Sequence, residues 1–195
     1  SAWSHRNLFN LISWFGDFFK VNEKDVIPQK TTISFGDSPL ELLLPLTWAK
    51  GAVYLRPHDI LSKNLSALAD WMKEIGATIV QFVPSVFDAL LSVSDIKEIK
   101  SLRLLVLSGE ALRRRYDLPF DVYNIYGNSE CTALSAWYKV EAQGGRIRIG
   151  YPLSNTRVYI LDDDKHPLPA YMSGEVYLAG LSNGLGYVNA PEEQE

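Results

Sequence analysis

One short segment gathers several side chains that could bind a nucleotide. Asn124, Tyr126, Ser129 and Glu130 lie within seven residues of one another, with Gly127 among them. Tyr126 could stack on a base, Asn124 could hydrogen-bond its edge, and Ser129 could hold a phosphate oxygen. Glu130 could give Mg²⁺ an oxygen ligand, and Gly127 allows a ligand close to the backbone. By chemistry alone, a strand-end turn with solvated polar groups is an equally good interpretation.

Two further loops carry polar groups, and each follows a predicted strand. They are Phe35-Gly36-Asp37-Ser38 and Ser108-Gly109-Glu110-Ala111. In an open parallel sheet, ligands bind beyond the carboxyl ends of the strands. We therefore expect these two loops and the segment at 124–132 to share one edge of a sheet.

Alternating helix and strand patterns surround these loops. Apolar residues at three- and four-residue steps, together with turn residues, predict helices at about 5–20, 38–50, 62–75 and 85–91. Ser38 can cap the second helix, with Glu41 bonding back as in a capping box. Short apolar runs predict buried strands at 31–35, 52–55, 78–83, 102–107 and 121–126. The alternation predicts an α/β fold, with a mostly parallel sheet flanked by helices in a flavodoxin-like subdomain.

The character of the chain changes after about residue 135. Short strand-like runs at 136–140, 146–149, 157–161 and 175–179 are separated by Gly, Asp and Pro turns. This pattern predicts a smaller β-rich segment. We place the boundary between an α/β subdomain at 1–142 and a β-rich subdomain at 143–195.

Composition and charge exclude several classes of protein. The 195 residues are 47% hydrophobic and 22% charged, which is typical of a globular chain and not of a disordered or collagenous one. The net charge of −4 argues against nucleic-acid binding, and no apolar stretch is long enough to span a bilayer. The single cysteine, Cys131, cannot form an internal disulfide, which fits a cytoplasmic protein. The N-terminus has neither a secretory signal nor an initiator Met, so we expect an excised piece.

Five motifs resemble a known enzyme family in the same order and spacing. Residues 124–130 are similar to the N-x-Y-G-P-T-E motif of adenylate-forming enzymes, specifically the adenylation domains of nonribosomal peptide synthetases. The other similar segments are 4–8, after that family's phosphate loop; 35–41, like F-D-x-S-x-x-E; 108–112, like G-G-E-x-L; and 174–180 with 184–191, like G-E-L-x-I-x-G…G-Y-x-x-x-P. The resemblance covers nearly the whole chain.

The resemblance implies a role for each matching residue. Asn124 and Tyr126 would contact the adenine of ATP from one side, and the backbone of Gly109, Glu110 and Ala111 would lie on the other, with Gly127 allowing close approach. Ser129 replaces the family's Thr near the phosphates, and Asn128 replaces its Pro. Glu130 matches the Mg²⁺-binding glutamate. The metal would neutralise charge while the carboxylate of the acid attacks the α-phosphate, so Ser129 and Glu130 are the implied catalytic residues.

One departure from the family concerns the substrate. The family places an Asp after Phe35, where its carboxylate binds the α-ammonium of an amino acid, but here that residue is Gly36. Desolvating an ammonium without a counter-charge is costly, which favours another acid, such as an aliphatic α-keto or α-hydroxy acid. Asp37 keeps alternatives open: it binds the displaced amino group of a β-amino acid, or it favours the adjoining helix N-terminus. An aryl acid is a further alternative.

The family's motifs also imply an acid pocket. Its lining would be Gly36, Asp37, Leu40, Gln81, Val106, Ser108, Ile125, Ala133 and Leu134. Most of these side chains are aliphatic, which favours a medium-sized aliphatic acid. Gln81 and Ser108 could donate hydrogen bonds to a keto or hydroxyl oxygen.

Several parts of a complete adenylation domain have no counterpart in this sequence. They are the Ser/Thr/Gly-rich phosphate loop, the ribose-binding Asp, the hinge, and the small domain with the catalytic Lys. We therefore expect an inactive fragment of an acid–AMP ligase. The whole enzyme would use ATP and Mg²⁺ and pass the acid to phosphopantetheine on a peptidyl carrier domain, in secondary metabolism such as antibiotic biosynthesis. A non-catalytic interaction segment and an acyl-CoA ligase relative are the alternatives.

Overall fold

A five-stranded mixed sheet forms the centre of the chain in the computed structural model, which describes residues 1–60 and 64–190. The strands are β1 Pro28–Gln29, β2 Tyr54–Leu55, β3 Ile79–Phe82, β4 Leu104–Ser108, β5 Asp121–Tyr126, β6 Ala136–Lys139, β7 Tyr151–Pro152, β8 Thr156–Leu161 and β9 Glu175–Gly180. The central sheet has the order β3-β4-β5-β6-β7, in which β3, β4 and β5 are parallel and β6 and β7 antiparallel. The predicted α/β class is confirmed.

Two small sheets complete the strand topology. Strands β1 and β2 pair in parallel, and β8 and β9 form an antiparallel pair. The predicted β-rich character of the last fifty residues corresponds to β7, β8 and β9. The division at 142 stays a prediction, while the five-stranded sheet itself extends to Pro152.

In the described ranges, four α-helices flank the central sheet. They are α1 His5–Phe18, α2 Ser38–Leu43, α3 Leu65–Glu74 and α4 Pro84–Val93. Helix α1 begins with a capping box, in which Ser4 Oγ accepts a bond from Asn7 N and Asn7 Oδ1 accepts one from Ser4 N. None of the described helices is long and apolar enough to cross a membrane.

Strands β3 and β4 are buried on both faces, as their continuous apolar runs predict. On β4, Leu105 and Leu107 pack in one apolar cluster with α3 and α4, and Leu104 and Val106 pack in a second cluster with α1 and α2. Phe15 is one of the most buried side chains of the second cluster. Since side chains alternate along a strand, the two clusters occupy opposite faces of the sheet.

Three predicted strands differ from the structure. Residues 31–35 form a loop, because the backbone N–H of Thr31 donates to the Glu41 carboxylate and not to a neighbouring strand. Residues 146–149 are irregular, and the backbone carbonyl of Arg148 accepts a bond from a side chain. Strand β2 exists but is exposed, with Leu55 65% accessible, because it pairs with β1 in a two-stranded sheet.

The helix predicted at 38–50 has a different shape and a different cap. It changes at Leu44 to a π-helical turn that ends at Trp48, because Pro45 has no N–H to continue the α-helical pattern. Asp37 occupies the N-cap position, so the predicted Ser38 cap and the capping-box role of Glu41 are wrong. The start of the helix predicted at 62–75 and the end of the motif at 184–191 lie outside the described residues.

Candidate functional site

The three polar loops lie at one edge of the central sheet. Strands β3, β4 and β5 are parallel and in adjacent register, with Gln81 opposite Val106 and Ser108 opposite Ile125. Gln81 Nε2 donates to Ser108 Oγ at 2.9 Å. Ser108 Oγ in turn donates to the Asp37 carboxylate at 3.2 Å, so the loop before α2 is joined to the ends of β3 and β4.

Asp37 is the acidic side chain of this hydrogen-bonded chain. It is 8% exposed, and its carboxylate makes no capping bond to α2 although the residue occupies the N-cap position. Burial raises the pKa of Asp37 above the usual aspartate value, and the hydrogen bond from Ser108 and the charge of Lys30 only partly oppose this shift. The Asp37 carboxylate can therefore bind a hydrogen-bond donor or a cation of a ligand.

A cavity of about 460 Å³ opens beside Asp37. Asp37 and Gln81 are the predicted pocket residues that line it. The remaining lining comes from the segments that follow β1 and β2, from the loop before α2, from the end of β3, and from the starts of α3 and α4: Lys30, Thr31, Phe35, Arg56, Ile60, Asn64, Leu65, Leu68, Phe82, Val83 and Val86. Its volume is within the range of small-molecule sites, and its wall is apolar with a few polar groups, as such sites are.

Other predicted pocket residues lie in the apolar cluster of α1 and α2 and do not line this cavity. Leu40, Val106, Ile125 and Leu134 are at most 4% exposed. Gly36 has a different neighbour: a Cβ there would lie 3.3 Å from the ring of Trp3 and 3.7 Å from the Cβ of Ala133. Trp3 and most of the cavity lining are not identified by any local sequence pattern.

Lys30, on the wall of the cavity, belongs to a buried ion pair. Lys30 Nζ and a Glu41 carboxylate oxygen are 3.0 Å apart, with side chains 7% and 3% exposed. The Lys30 ammonium also lies 4.3 Å above the ring of Phe82. Glu41 further accepts bonds from the backbone N–H of Lys30 and from the N–H and hydroxyl of Thr31.

The turn predicted to contact adenine borders the same cavity. Gly109 has a φ of +81°, and a Cβ there would lie 3.2 Å from Val83 and 3.9 Å from the ring of Phe35, both of which line the cavity. The exposed Glu110 carboxylate accepts bonds from the backbone N–H and hydroxyl of Ser85, and Ala111 beside it is exposed. The turn is thus tied to the start of α4.

The loop at 127–133, which we call the acidic loop, has an unusual backbone. Thr132 and Ala133 have φ values of +54° and +65°, and Gly127 faces the carbonyl of Ala133 so closely that a Cβ would collide with it. The Asn128 side chain accepts a bond from Cys131 N at 3.1 Å. Positive φ is unfavourable for residues other than glycine, so the fold holds this loop in place through its contacts.

Glu130 projects from the acidic loop with an exposed carboxylate. It accepts a short hydrogen bond from the Tyr187 hydroxyl, and this bond lowers the pKa of Glu130. The loop backbone is also fixed: Ser129 O accepts from Trp3 Nε1 at 2.6 Å, and Glu130 O accepts from Gly184 N at 2.7 Å. Among the residues that the structure describes, no three His, Cys, Asp or Glu side chains form a metal-binding group.

Asn124 and Tyr126 lie on β5 immediately before the acidic loop. Asn124 is 7% exposed, and its amide nitrogen donates to Arg148 O at 2.9 Å, so its carbonyl oxygen is the group that can accept a bond from a ligand. Tyr126 is half-buried at the end of the strand. The turn at 109–111 follows β4, and the acidic loop follows the adjacent strand β5, so both lie at one edge of the sheet.

Comparison with known proteins gives a consistent family. The model of the AMP-binding enzyme family matches residues 2–188. The dimodular nonribosomal peptide synthase of Bacillus subtilis (strain 168) is 33% identical over 195 residues, covering 97% of this chain and 8% of that protein. The indigoidine synthase of Dickeya dadantii (strain 3937) is 31% identical over 197 residues, covering 95% of this chain and 13% of that protein. The chain therefore spans a small part of these relatives.

Solved structures give the same result for the fold. The nonribosomal peptide synthetase FmoA3 in its AMPPNP-bound form matches with a TM-score of 0.87 and 26% identity, over 99% of this chain and 22% of that chain. The four-domain nonribosomal peptide synthetase AB3403, bound to AMP and glycine, matches with a TM-score of 0.85 and 26% identity, over 99% and 15% of the two chains.

Proposed function

This chain belongs to the AMP-binding enzyme family, and we propose that it is the acid-selecting part of an adenylation domain in a nonribosomal peptide synthetase. The complete enzyme would join a carboxylic acid to AMP from ATP, releasing pyrophosphate, and pass the acyl group to a carrier-protein thiol. One observation carries this proposal: the cavity beside Asp37 borders the Gly109 turn. An acid in the cavity would therefore lie next to a nucleotide held by that turn.

The residues around the turn and the acidic loop suit a nucleotide. The ring of Tyr126 and the backbone of residues 109–111 would hold the adenine, and the carbonyl oxygen of Asn124 would accept a bond from its amino group. The Ser129 hydroxyl would lie near the phosphates. These roles agree with the AMPPNP and AMP named for two similar structures.

Glu130 fits a Mg²⁺ ion that is shared with the phosphates of ATP. Mg²⁺ is commonly bound by one or two carboxylates together with phosphate oxygens and water, so a single exposed glutamate is sufficient. The hydrogen bond from Tyr187 keeps Glu130 ionised. When bound, the metal would neutralise charge on the triphosphate.

Gly36 supports a substrate other than an ordinary α-amino acid. Glycine has no side chain, so this position offers an ammonium no carboxylate, and its neighbours are the Trp3 ring and Ala133. We propose an aliphatic α-keto or α-hydroxy acid, whose oxygen would be bound by the Gln81 amide and the Ser108 hydroxyl.

A second candidate substrate is a β-amino acid, and one observation favours it. The Asp37 carboxylate lines the cavity and makes no capping bond to α2, so it is available for a displaced ammonium. This observation weakens the purely structural role that the sequence leaves open for Asp37.

The complete protein would supply what this chain does not contain. We propose that the phosphate loop, the ribose-binding residue and the catalytic lysine come from flanking segments, and that the chain alone is inactive. A phosphopantetheine-bearing carrier domain would be the acyl acceptor, in the cytoplasm and in a pathway of secondary metabolism. The lone Cys131, which is buried and has a pKa raised by burial, is unsuited to act as that thiol.

The test is ATP–pyrophosphate exchange by the full-length protein. The panel pairs each aliphatic α-amino acid with its α-keto and α-hydroxy analogues and includes β-amino and aryl acids. We expect exchange with keto or hydroxy acids, and loss of at least about 100-fold on Glu130→Gln. The matched control is Glu74→Gln, because Glu74 is an exposed acid on α3. Unchanged exchange by Glu130→Gln contradicts the role proposed for Glu130, whereas no exchange by the wild type with any acid favours a non-catalytic segment.

The substrate class has its own variants. Gly36→Asp should weaken activation of a keto acid and admit the matching α-amino acid. Gly36→Ala is the steric control, since a Cβ at this position already presses on the Trp3 ring. Exchange by the wild type with α-amino acids contradicts our interpretation of Gly36, and exchange with β-amino acids alone assigns recognition to Asp37. Comparing CoA with a holo-carrier protein as acceptor distinguishes a synthetase from an acyl-CoA ligase.

A further inference from the structure

The cavity beside Asp37 has a basic side chain that the chemistry above does not use. Arg56 follows strand β2 and lines the cavity wall. Its backbone N–H donates to Gln29 O at 3.1 Å, which fixes Arg56 beside β1. Lys30, one residue after β1, lines the same wall. Two cationic side chains are thus brought to one region of a cavity from segments 26 residues apart in sequence.

The two cations differ in how their charges are balanced. The Lys30 ammonium pairs with the Glu41 carboxylate at 3.0 Å inside the protein. Arg56 forms no salt bridge with any side chain that the structure describes, and it is half-buried. Burial lowers the pKa of Arg56, while the more distant charge of Glu41 opposes this shift only in part. A partly desolvated guanidinium is stabilised by an anion that pairs with it.

The charge of Asp37 does not change this conclusion. If Asp37 is protonated, Lys30, Glu41 and Arg56 together leave one positive charge at the cavity. If Asp37 is ionised, its carboxylate accepts a bond from Ser108 and forms no salt bridge with Arg56 in the part of the chain that the structure describes. In both cases the Arg56 guanidinium has no direct anionic partner among the described side chains, so a second anionic group on the ligand could pair with it.

The rest of the wall shows that this ligand is also partly apolar. Leu65, Leu68, Phe82, Val83 and Val86 contribute aliphatic and aromatic surface to the cavity. A small inorganic anion would leave most of this surface and volume unfilled. The occupant that fits is a hydrocarbon chain with an acidic end.

We propose that Arg56 selects a dicarboxylic acid, with one carboxylate reacting beside the nucleotide and the second bound by the Arg56 guanidinium. This inference rests on the proposed adenylation function and specifies its substrate class. The guanidinium suits this task because its planar donors bind both oxygens of a carboxylate at once.

The experiment compares matched acids in the full-length protein. Each monocarboxylic acid is paired with the dicarboxylic acid of equal chain length, and kcat/KM is measured by ATP–pyrophosphate exchange. We expect the wild type to prefer the dicarboxylic partner, and Arg56→Gln to lose about 100-fold on that partner with little change on the monocarboxylic acid. Arg56→Glu should reverse the preference toward an amine-ended acid. Arg157→Gln is the control, because Arg157 is an exposed arginine on β8.

The outcomes separate this inference from the function on which it rests. Equal activity on both members of each pair, or equal effects of Arg56→Gln on both, overturns the inference and leaves the adenylation proposal intact. If no acid supports exchange, the adenylation proposal fails, and calorimetric binding of the same pairs then decides the inference. If Arg56→Gln weakens binding of the dicarboxylic acid, the inference is supported. If the variant leaves that binding unchanged, the inference is overturned.

Discussion

The buried ion pair between Lys30 and Glu41 should dominate the stability of the segment that carries the cavity. The Glu41 carboxylate accepts four hydrogen bonds, at 2.8–3.0 Å, from the backbone and side-chain groups of Lys30 and Thr31. Glu41→Gln keeps the shape of the side chain but removes its charge and one acceptor oxygen. The amide nitrogen would then face donors, and the Lys30 ammonium would stay buried without an anion.

The expected cost follows from these contacts. Removing one partner of a buried pair destabilises a protein by about 3–5 kcal/mol, because it leaves an uncompensated charge. With a urea m-value of roughly 2 kcal/mol per molar, the unfolding midpoint should fall by about 1.5–2.5 M. Fluorescence of the buried Trp14 and Trp71 reports the transition.

Lys30→Met and the double variant test whether the unpaired Lys30 charge causes the loss of stability. Lys30→Met should cost less than Glu41→Gln, because the remaining carboxylate keeps three of its donors. The double variant should be more stable than Glu41→Gln alone, since it buries no isolated charge. A midpoint shift below about 0.5 M for Glu41→Gln, or a double variant no more stable than that single variant, would refute the argument.

Two further predictions concern pH and backbone geometry. Burial raises the pKa of Asp25, but hydrogen bonds, chiefly from both 2.7 Å donors of Arg103, outweigh burial and hold the pKa below its usual value. The stability that this low pKa provides is present above about pH 4 and is lost as the pH falls through the folded-state pKa. The urea midpoints of the wild type and Asp25→Asn should therefore converge in acid. A difference that stays constant with pH contradicts this prediction. Gly127→Ala should abolish exchange by the full-length protein while circular dichroism shows the fold retained, because the new Cβ meets the Ala133 carbonyl. Gly51→Ala is the control, since its Cβ meets open space and the variant should be neutral. Equal activities of the two variants would contradict this prediction.

The sequence predicts the fold where local pattern and final environment agree. Strand β5 forms at the predicted residues, because a short run rich in β-branched and aromatic residues ends there at a loop rich in turn formers. Helix α1 likewise begins at its capping box. The strand predicted at 31–35 fails because the N–H of Thr31 is bound by Glu41, ten residues later. A contact between a loop and a helix overrides the local pattern there, and periodicity contains no information about it.

The candidate site, like the fold, is predicted only in part by local sequence patterns. The motifs predict that the loops after β4 and β5 share one edge, which parallel strands guarantee. The cavity beside that edge is built partly by Lys30 and Arg56, which belong to no motif and meet only through the pairing of β1 with β2. Trp3 and Tyr187 contact the acidic loop from the two ends of the chain. The roles carried over from the family stay predictions for each of the implied residues.

The acidic loop depends on segments that are distant in sequence, and this dependence has a physical reason. Two successive residues with positive φ make the loop costly to form alone, so contacts elsewhere must hold it. The Thr132 hydroxyl donates to Ser182 O at 2.6 Å, and Gly184 lies so close to Ala2 and to Glu130 that no side chain fits there. The ends of the chain therefore clamp the loop from both sides. Under the proposed function, a Glu130 carboxylate held in this way would not have to be ordered when a metal ion binds, which is the advantage of a preorganised site.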